Sequence, residues 1–401
     1  MLNEVNISFH YPKSKRFNKN FAINKKKILK ILFNLKKKDQ KNEIKIFQSF
    51  KKNYEYDYSN KTLKNFKKYK NFVLIGMGGS ILGFKAIFSF LKQDINKNFF
   101  FLDNLDEQLL SQLSKLKKKN TCVILISKSG NTLETILNFN CVKRLITKKN
   151  LIIICEKKNS LIYNLSHNLS APIVGHDKNI GGRFSVLTDV GMLPSDLAGL
   201  NTKSFKNDTF LKNKKFVNLL VNNAAFISTL NKLGYKTHVA INYMSAFLDF
   251  CYWYQQLMAE SLGKKKKGIL PMISIGPKDH HSLMQLYLGG PKKEMFTIFS
   301  SNRKSKIKIN KKLLPQSLLK LKNKSYNFIL NSQSKATERT FFKEGVPVRS
   351  IIIKRQNENV IGELFIFFML EIMLLGEIMN INPFDQPEVE KIKIETKKVI
   401  L

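Results

Sequence analysis

Short, continuously apolar runs recur along this chain, each followed by a polar or glycine-rich turn and then a helix-like segment. Phe72-Val73-Leu74-Ile75 is one such run and Phe99-Phe100-Phe101-Leu102 a second. Cys122 to Ile126 and Leu151 to Cys155 are the third and fourth. A strand without a polar face has to be covered on both sides. Helices crossing over a parallel sheet achieve this, so the pattern predicts an α/β fold. It restarts at His238-Val239-Ala240-Ile241, followed by a long helix over Ala246 to Leu262 and a strand over Met295 to Phe299. Val348 to Ile353 reads as one more strand, interrupted by Arg349 and Ser350, before a long helix over Gly362 to Met379.

Two α/β units fit the length of 401 residues, at roughly 150 residues per domain. Residues 1–65 read as a lysine-rich helical segment, with Ile28, Ile31, Leu32 and Leu35 at helical spacing. The first unit spans 66–205 and the second 206–380, with Asn201-Thr202-Lys203-Ser204 as a linker. A loop and helix over 381–401 close the chain. The most apolar stretch, Leu364 to Leu375, is broken by Glu371, which predicts a buried helix and no membrane span. The start, Met1-Leu2-Asn3-Glu4, carries no signal-peptide pattern. Four cysteines lack any Cys-x-x-Cys pair, so a reduced, cytoplasmic protein without a disulfide framework or metal site is expected.

The formal net charge is +40. Basic runs such as Lys36-Lys37-Lys38 and Lys264 to Lys267 are scattered and lack interleaved aromatics. That favours a lysine-enriched solvated surface over a nucleic-acid partner. Such a field still speeds the arrival of an anionic substrate.

Five segments could carry chemistry. Gly76-Met77-Gly78-Gly79-Ser80 joins the first strand to a helix, where exposed N–H groups suit a phosphate or a sugar hydroxyl. Ile81 stands where the dinucleotide fingerprint needs its last glycine. Ser127-Lys128-Ser129-Gly130-Asn131-Thr132 follows the third strand. Its hydroxyls exceed what helix capping needs and form a donor-rich cradle for a phosphate. Gly181-Gly182-Arg183 offers a close backbone approach and a fixed cationic fork. Asp279-His280-His281 contains adjacent histidines, which fit acid–base work, metal ligation or a hydrogen-bonded helix start. Asn382-Pro383-Phe384-Asp385-Gln386-Pro387 is a shaped loop before a last helix that carries Lys393.

Together these segments resemble the glucose-6-phosphate isomerase family. Gly181 to Gly191 is similar to one family signature and Asn382 to Glu390 to the other. Trp253 to Lys264 also matches, and the agreement runs in order from about residue 70 to 395. The resemblance implies two sugar-isomerase (SIS-type) domains, each a three-layer α/β/α sandwich with a mainly parallel sheet. It implies a homodimer with sites at the subunit interface, and cofactor-free interconversion of glucose 6-phosphate and fructose 6-phosphate through a cis-enediolate. Arg183 takes the place of the family's enediolate-stabilising arginine. Ser127, Ser129 and Thr132, with the Lys128 backbone N–H, match the phosphate cradle. Gly79 and Ser80 match sugar-binding positions, Gln386 a glutamine near the phosphate, and Lys393 a lysine that assists ring opening. His281 is a further expected substrate contact.

Two departures accompany the resemblance. A glutamate proton shuttle is expected at one of two positions, which here hold Ser274 and Gly289. No histidine follows His281. Glu260, Asp279 and Glu294 remain as substitute bases. Glu260 lies in a matched motif, where a structural ion pair with a lysine is the alternative. A sugar-phosphate-binding protein that has lost catalysis, and an isomerase of another sugar phosphate such as mannose 6-phosphate, are the rival readings.

Overall fold

The computed structural model describes residues 2–11, 14–303 and 305–400. Among them, in chain order, the strands are β1 (Val5–His10), β2 (Asn71–Ile75), β3 (Asn98–Leu102), β4 (Thr121–Ser127) and β5 (Leu151–Cys155). They continue with β6 (Ile173–Gly175), β7 (Thr237–Asn242), β8 (Leu270–Ile275), β9 (Glu294–Ser301) and β10 (Val348–Ile353). One sheet has the order β3-β2-β4-β5-β6 and is parallel throughout. The other has the order β1-β10-β9-β7-β8, parallel except for β1, which pairs antiparallel with β10.

The two faces of each sheet are covered by different apolar clusters, as period-two alternation requires. Phe72, Leu74 and Ile124 of the first sheet join Phe299 and Ile351 of the second in one central core. Val73, Ile75, Val123 and Leu125 turn the other way into a second cluster. Val239, Ile241, Phe296 and Ile298 form a third on the far face of the second sheet. Trp253 and Phe365 meet edge to face at 4.6 Å within the central core.

The Glu358–Ile378 helix is buried from Val360 to Gly376 apart from Glu363, so it is apolar on almost every side. Its Glu371 is the charge that breaks the apolar run, and Arg349 is the charge that interrupts β10. The two are partners, both fully buried, with Arg349 Nη1 2.5 Å from Glu371 Oε2. Thr297 Oγ1 accepts from Arg349 Nε at 2.9 Å, and Asn223 Oδ1 accepts from Nη1 at 2.7 Å. A buried charge persists only when paired and hydrogen-bonded in this way.

Three elements differ from the sequence expectation. The N-terminal segment carries a strand as well as its helix: Val5–His10 extends the second sheet before the Lys15–Gln40 helix begins at its Ser14 cap. β8 is an edge strand holding Pro271, a residue that edges tolerate because no ladder N–H is needed there. Asn201 to Ser204, read as a linker, belongs to a packed segment. Thr202–Phe205 is a 3₁₀ turn with Phe205 buried. A Cβ placed on Gly362 would stand 2.2 Å from the Phe205 carbonyl oxygen, so the long helix presses directly on this turn. All four cysteines are free, three of them buried. Among the described residues, no helix is long and apolar enough to cross a membrane.

Candidate active site

In a sheet of order β3-β2-β4-β5-β6, the chain moves from β2 to one side and then returns to the other. Ligands of such sheets bind at that switch point, beyond the carboxyl ends of the two central strands. The loops after β2 and β4 are the Gly76–Ser80 turn and the Ser127–Thr132 loop. The two touch: a Cβ on Gly76 would lie 2.7 Å from the Ile126 carbonyl oxygen. On its other side, the β2 turn meets the arginine segment. Gly79 opens the Gly79–Phe90 helix, and a Cβ there would stand 2.2 Å from Gly182 C and 2.4 Å from Arg183 N. Only glycine permits that approach.

Arg183 begins at this contact and is fully buried along its side chain. Each nitrogen of its guanidinium is engaged. Nε donates to Ser261 Oγ at 2.8 Å, and Nη2 donates to the carbonyls of Pro383 and Asp385 at 2.6 and 3.0 Å. Nη1 donates to Gln386 Oε1 and to Glu260 Oε2, the latter at 3.1 Å. The indole of Trp253 donates to the Arg183 carbonyl at 3.2 Å. Burial pulls the arginine's pKa down, and Glu260 pulls it back up. Glu260 and Ser261 come from the last turn of the Leu248–Leu262 helix, which packs along the Gly79–Phe90 helix.

Glu260 is a quarter exposed, so one buried cation faces a carboxylate that solvent reaches. Its Oε1 accepts from Gln256 Nε2 at 2.7 Å, one helical turn earlier. Gln256 in turn lies against the β2 turn, where a Cβ on Gly78 would be 2.7 Å from its amide nitrogen. Gln256 is a site residue to which the sequence motif alone assigns no role. Its i,i+4 spacing from Glu260 was the available signal.

The other substitute bases stand elsewhere. The Asp279 carboxylate is occupied by the Ile275 N–H at 2.6 Å and by the hydroxyls of Ser274 and Ser282 at 3.0 and 3.1 Å. Its slight burial raises the pKa, but these hydrogen bonds outweigh that and hold it below the usual carboxylate range. Glu294 opens β9, at the amino end of a strand whose sheet aligns it with Thr237, the first residue of β7. Ser274 is the buried hydrogen-bond partner of Asp279, and Gly289 ends a short helix.

In the loop after β4, Ser127 Oγ and Thr132 Oγ1 are 3.1 Å apart. The Gly130 N–H donates to Ser127 Oγ and the Asn131 N–H to Ser129 Oγ, both at 3.2 Å. Thr132 stands at the N-cap of the Leu133–Cys141 helix, yet its hydroxyl caps no N–H. The helix's first N–H groups and these hydroxyls therefore face the same loop as donors. The Lys128 side chain turns away, donating to the Lys178 carbonyl at 2.8 Å, with Glu156 3.8 Å away. Only its backbone remains for the cradle.

Lys393 and His281 are not brought to this cluster. Lys393 lies on the exposed Val389–Ile400 helix, where its ammonium pairs with Glu390 at 2.5 Å. His281 is exposed, and its neighbour His280 is the one held in place, by Tyr243 OH at 2.5 Å and Thr337 Oγ1 at 3.1 Å. Among the described residues, no group of three His, Cys, Asp or Glu could hold a metal ion.

Two parallel-sheet units, with a hydroxyl-rich loop at the switch point and an arginine–carboxylate pair beside it, define a sugar-isomerase (SIS-type) α/β protein. A sequence model described as "Phosphoglucose isomerase" matches residues 39–274. A Methanocaldococcus jannaschii glucose-6-phosphate isomerase is 35% identical over 84% of this chain and 86% of its own. A Campylobacter jejuni glucose-6-phosphate isomerase is 30% identical over 82% and 85%. The chain belongs to the phosphoglucose isomerase family. A solved hypothetical protein from Thermus thermophilus shares the fold, with a TM-score of 0.84 at 23% identity over 98% of this chain and all of that one. A solved Chlamydia trachomatis glucose-6-phosphate isomerase superposes with a TM-score of 0.69 at 23% identity, over 85% of this chain and 71% of that one.

Proposed function

We propose that this chain interconverts glucose 6-phosphate and fructose 6-phosphate. The observation that carries the reading is Glu260 Oε2 at 3.1 Å from the buried Arg183 guanidinium. Aldose–ketose isomerisation needs a base that takes the C2 proton and returns it to C1, next to a charge that stabilises the enediolate oxygens. A carboxylate beside a desolvated guanidinium supplies both at adjacent points. The loop from Ser127 to Thr132 takes the phosphate through hydroxyls and helix N–H groups, and Gly79 and Ser80 lie where the sugar would pass. Glu260 removes the C2 proton of the open aldose. Charge then develops on the C1 oxygen beside Arg183, the C2 hydroxyl proton passes to that oxygen, and the same carboxyl delivers the abstracted proton to C1 as the C2 carbonyl forms. No electrons leave the substrate, so the step needs no redox cofactor.

The rival reading of a binder without catalysis was motivated by a missing base, and Glu260 fills that gap. Substrate oxygen takes the Gln386 place on Arg183 Nη1, since Gln386 lies in an exposed loop. We place Lys393 at ring opening and His281 at a contact with the substrate. They act there once the final helix closes and a second copy of the chain completes the site. On this reading the active unit is a cytoplasmic homodimer, and residues 66–205 and 206–380 are its two units.

The test is formation of fructose 6-phosphate from glucose 6-phosphate by the purified protein. Turnover well above an Arg183→Ala control is expected. No turnover above that control overturns the proposal.

A further inference from the structure

We infer that Lys264 is a positioning residue. Its ammonium pins the Asn382–Asp385 turn to the end of the helix that carries Glu260, and so fixes where Gln386 and the last helix leave the body of the protein. This role rests on the isomerase reading of the site.

Lys264 follows Glu260 by one helical turn, and its side chain is 8% exposed. An ammonium has three N–H donors. All three are used on a single four-residue turn: the Asn382 carbonyl, the Asp385 carbonyl at 2.6 Å and Asp385 Oδ1 at 2.6 Å. The hydrogen bond from Lys264 holds the Asp385 carboxyl below its ordinary pKa. The other carboxylate oxygen accepts from Asn382 Nδ2 at 3.0 Å, which closes the turn on itself.

Arg183 reaches the same turn from a distant chain segment, through the Pro383 and Asp385 carbonyls. Two cations therefore converge on one carbonyl oxygen, that of Asp385. A third support is steric. A Cβ on Gly376 would stand 3.0 Å from Pro383 Cβ, so the turn also rests on the end of the Glu358–Ile378 helix. Beyond Asp385 the support stops: Gln386 and every residue of the Val389–Ile400 helix are exposed or only partly covered.

The turn is thus a fixed platform between a rigid body and an unsupported helix. Without Lys264, the Asp385 carbonyl would keep Arg183 as its only cationic donor. The turn could then shift, carrying Gln386 and the acceptors of Arg183 with it. A displacement of about 1 Å at such a point costs on the order of a hundredfold in rate.

The experiment compares wild type, Lys264→Met and Lys264→Arg by amide hydrogen exchange and by steady-state kinetics with glucose 6-phosphate. Lys264→Met is expected to speed exchange of the Asn382, Phe384, Asp385 and Gln386 amides by about tenfold or more while leaving β4 and β5 protected. It is also expected to lower kcat by at least about tenfold and to raise KM, because both the Arg183 acceptors and Gln386 are displaced. Lys264→Arg should recover part of both effects, since the charge and two or more donors remain. Asp385→Ala removes one acceptor at an exposed side chain and should give a smaller change of the same sign, even where Lys264→Met fails to fold. Unchanged exchange and unchanged kcat in folded Lys264→Met overturn the pin. Faster exchange with unchanged kcat and KM overturns the positioning role and leaves a structural clamp. A wild type with no isomerase activity overturns the reading of the site instead, because the exchange data report on the pin independently.

Discussion

Arg183 Nη1 and Glu260 Oε2 stand 3.1 Å apart, the guanidinium wholly buried and the carboxylate open to solvent on one side. Each depends on the other. The carboxylate offsets the desolvation of the arginine, and the arginine holds the carboxylate at a fixed point beside the switch point of the first sheet. Ser261, the next residue, accepts from the same guanidinium, so one helical turn delivers both the base and an anchor for the charge stabiliser.

Glu260→Gln should therefore separate chemistry from structure. The amide oxygen can still accept from Arg183, so that hydrogen bond survives while the charge that offsets the arginine's desolvation is lost. Proton transfer is lost, and kcat should fall by about 10²–10⁴-fold. Exchange of the C2 proton with solvent deuterium should fall in parallel. Wild-type kcat and wild-type exchange in Glu260→Gln would show that another group carries the proton.

Thr132→Val tests the cradle. A threonine that caps a helix costs about 1 kcal/mol when its hydroxyl is removed. The Thr132 hydroxyl caps nothing and faces Ser127 instead. The expected result is a melting temperature close to wild type with KM for glucose 6-phosphate raised severalfold, as when one hydrogen bond to a charged group is lost. A clear drop in stability without a change in KM would make the residue a cap after all.

How much of this was legible in the sequence follows from where each signal is local. β5 and β10 begin and end where their apolar runs do. β2, β3 and β4 extend theirs by a residue or two, because buried parallel strands have no polar face to confuse the pattern. β1 was hidden by its lysine-rich surroundings. Its alternation of Val5, Ile7 and Phe9 with Asn6, Ser8 and His10 is the period of a half-exposed edge, and the pairing that fixes it is with β10, over three hundred residues away. The loop after β4 was legible because it carries more hydroxyls than a helix cap needs, whereas the glycines after β2 gained meaning only beside the other matched segments. The pairing of Glu260 with Arg183 was not, since nothing local in a helix says which distant side chain its last turn will meet. For the same reason the sequence could name Gln386 but not Lys264 as the residue that shapes its loop.

A buried lysine behind the arginine segment gives a pH signature. The Lys206 ammonium donates to the Ser49 carbonyl at 2.6 Å and to the Leu187 carbonyl, and lies over the rings of Tyr54 and Tyr56. Burial lowers its pKa from 10.5 to about 7. The unfolded chain then holds this proton more tightly than the folded one, so the unfolded state binds more protons between about pH 7 and 10.5. The lysine's contribution to stability therefore rises with pH across that window and is flat below it. Lys206→Met removes the titrating group. The stability difference between wild type and Lys206→Met, measured by urea unfolding, should shift in favour of wild type between about pH 7 and 9. A difference that stays constant from about pH 6 to 9 would mean that Lys206 titrates normally in the fold. Asp189, raised by burial to about 6, adds the opposite trend at lower pH and is coupled to Lys206, so the comparison is read above about pH 7, where Asp189 is ionised in wild type.

Gly79 is the position where fold and site are least separable. An alanine there would put its Cβ 2.2 Å from Gly182 C, inside any tolerable contact, and the obstacle is backbone that cannot swing aside. The Gly79–Phe90 helix or the Gly182–Arg183 peptide has to move, and either motion shifts Arg183 relative to Glu260. Gly79→Ala should therefore destabilise by about 1–3 kcal/mol, as overpacking does. It should also lower kcat/KM by much more than the equivalent Gly345→Ala. Gly345 has nothing within 4 Å and only its positive φ to lose. Thermal melts and kinetics of the two variants side by side read the difference. Equal losses in kcat/KM would mean that the close approach at Gly79 serves packing alone.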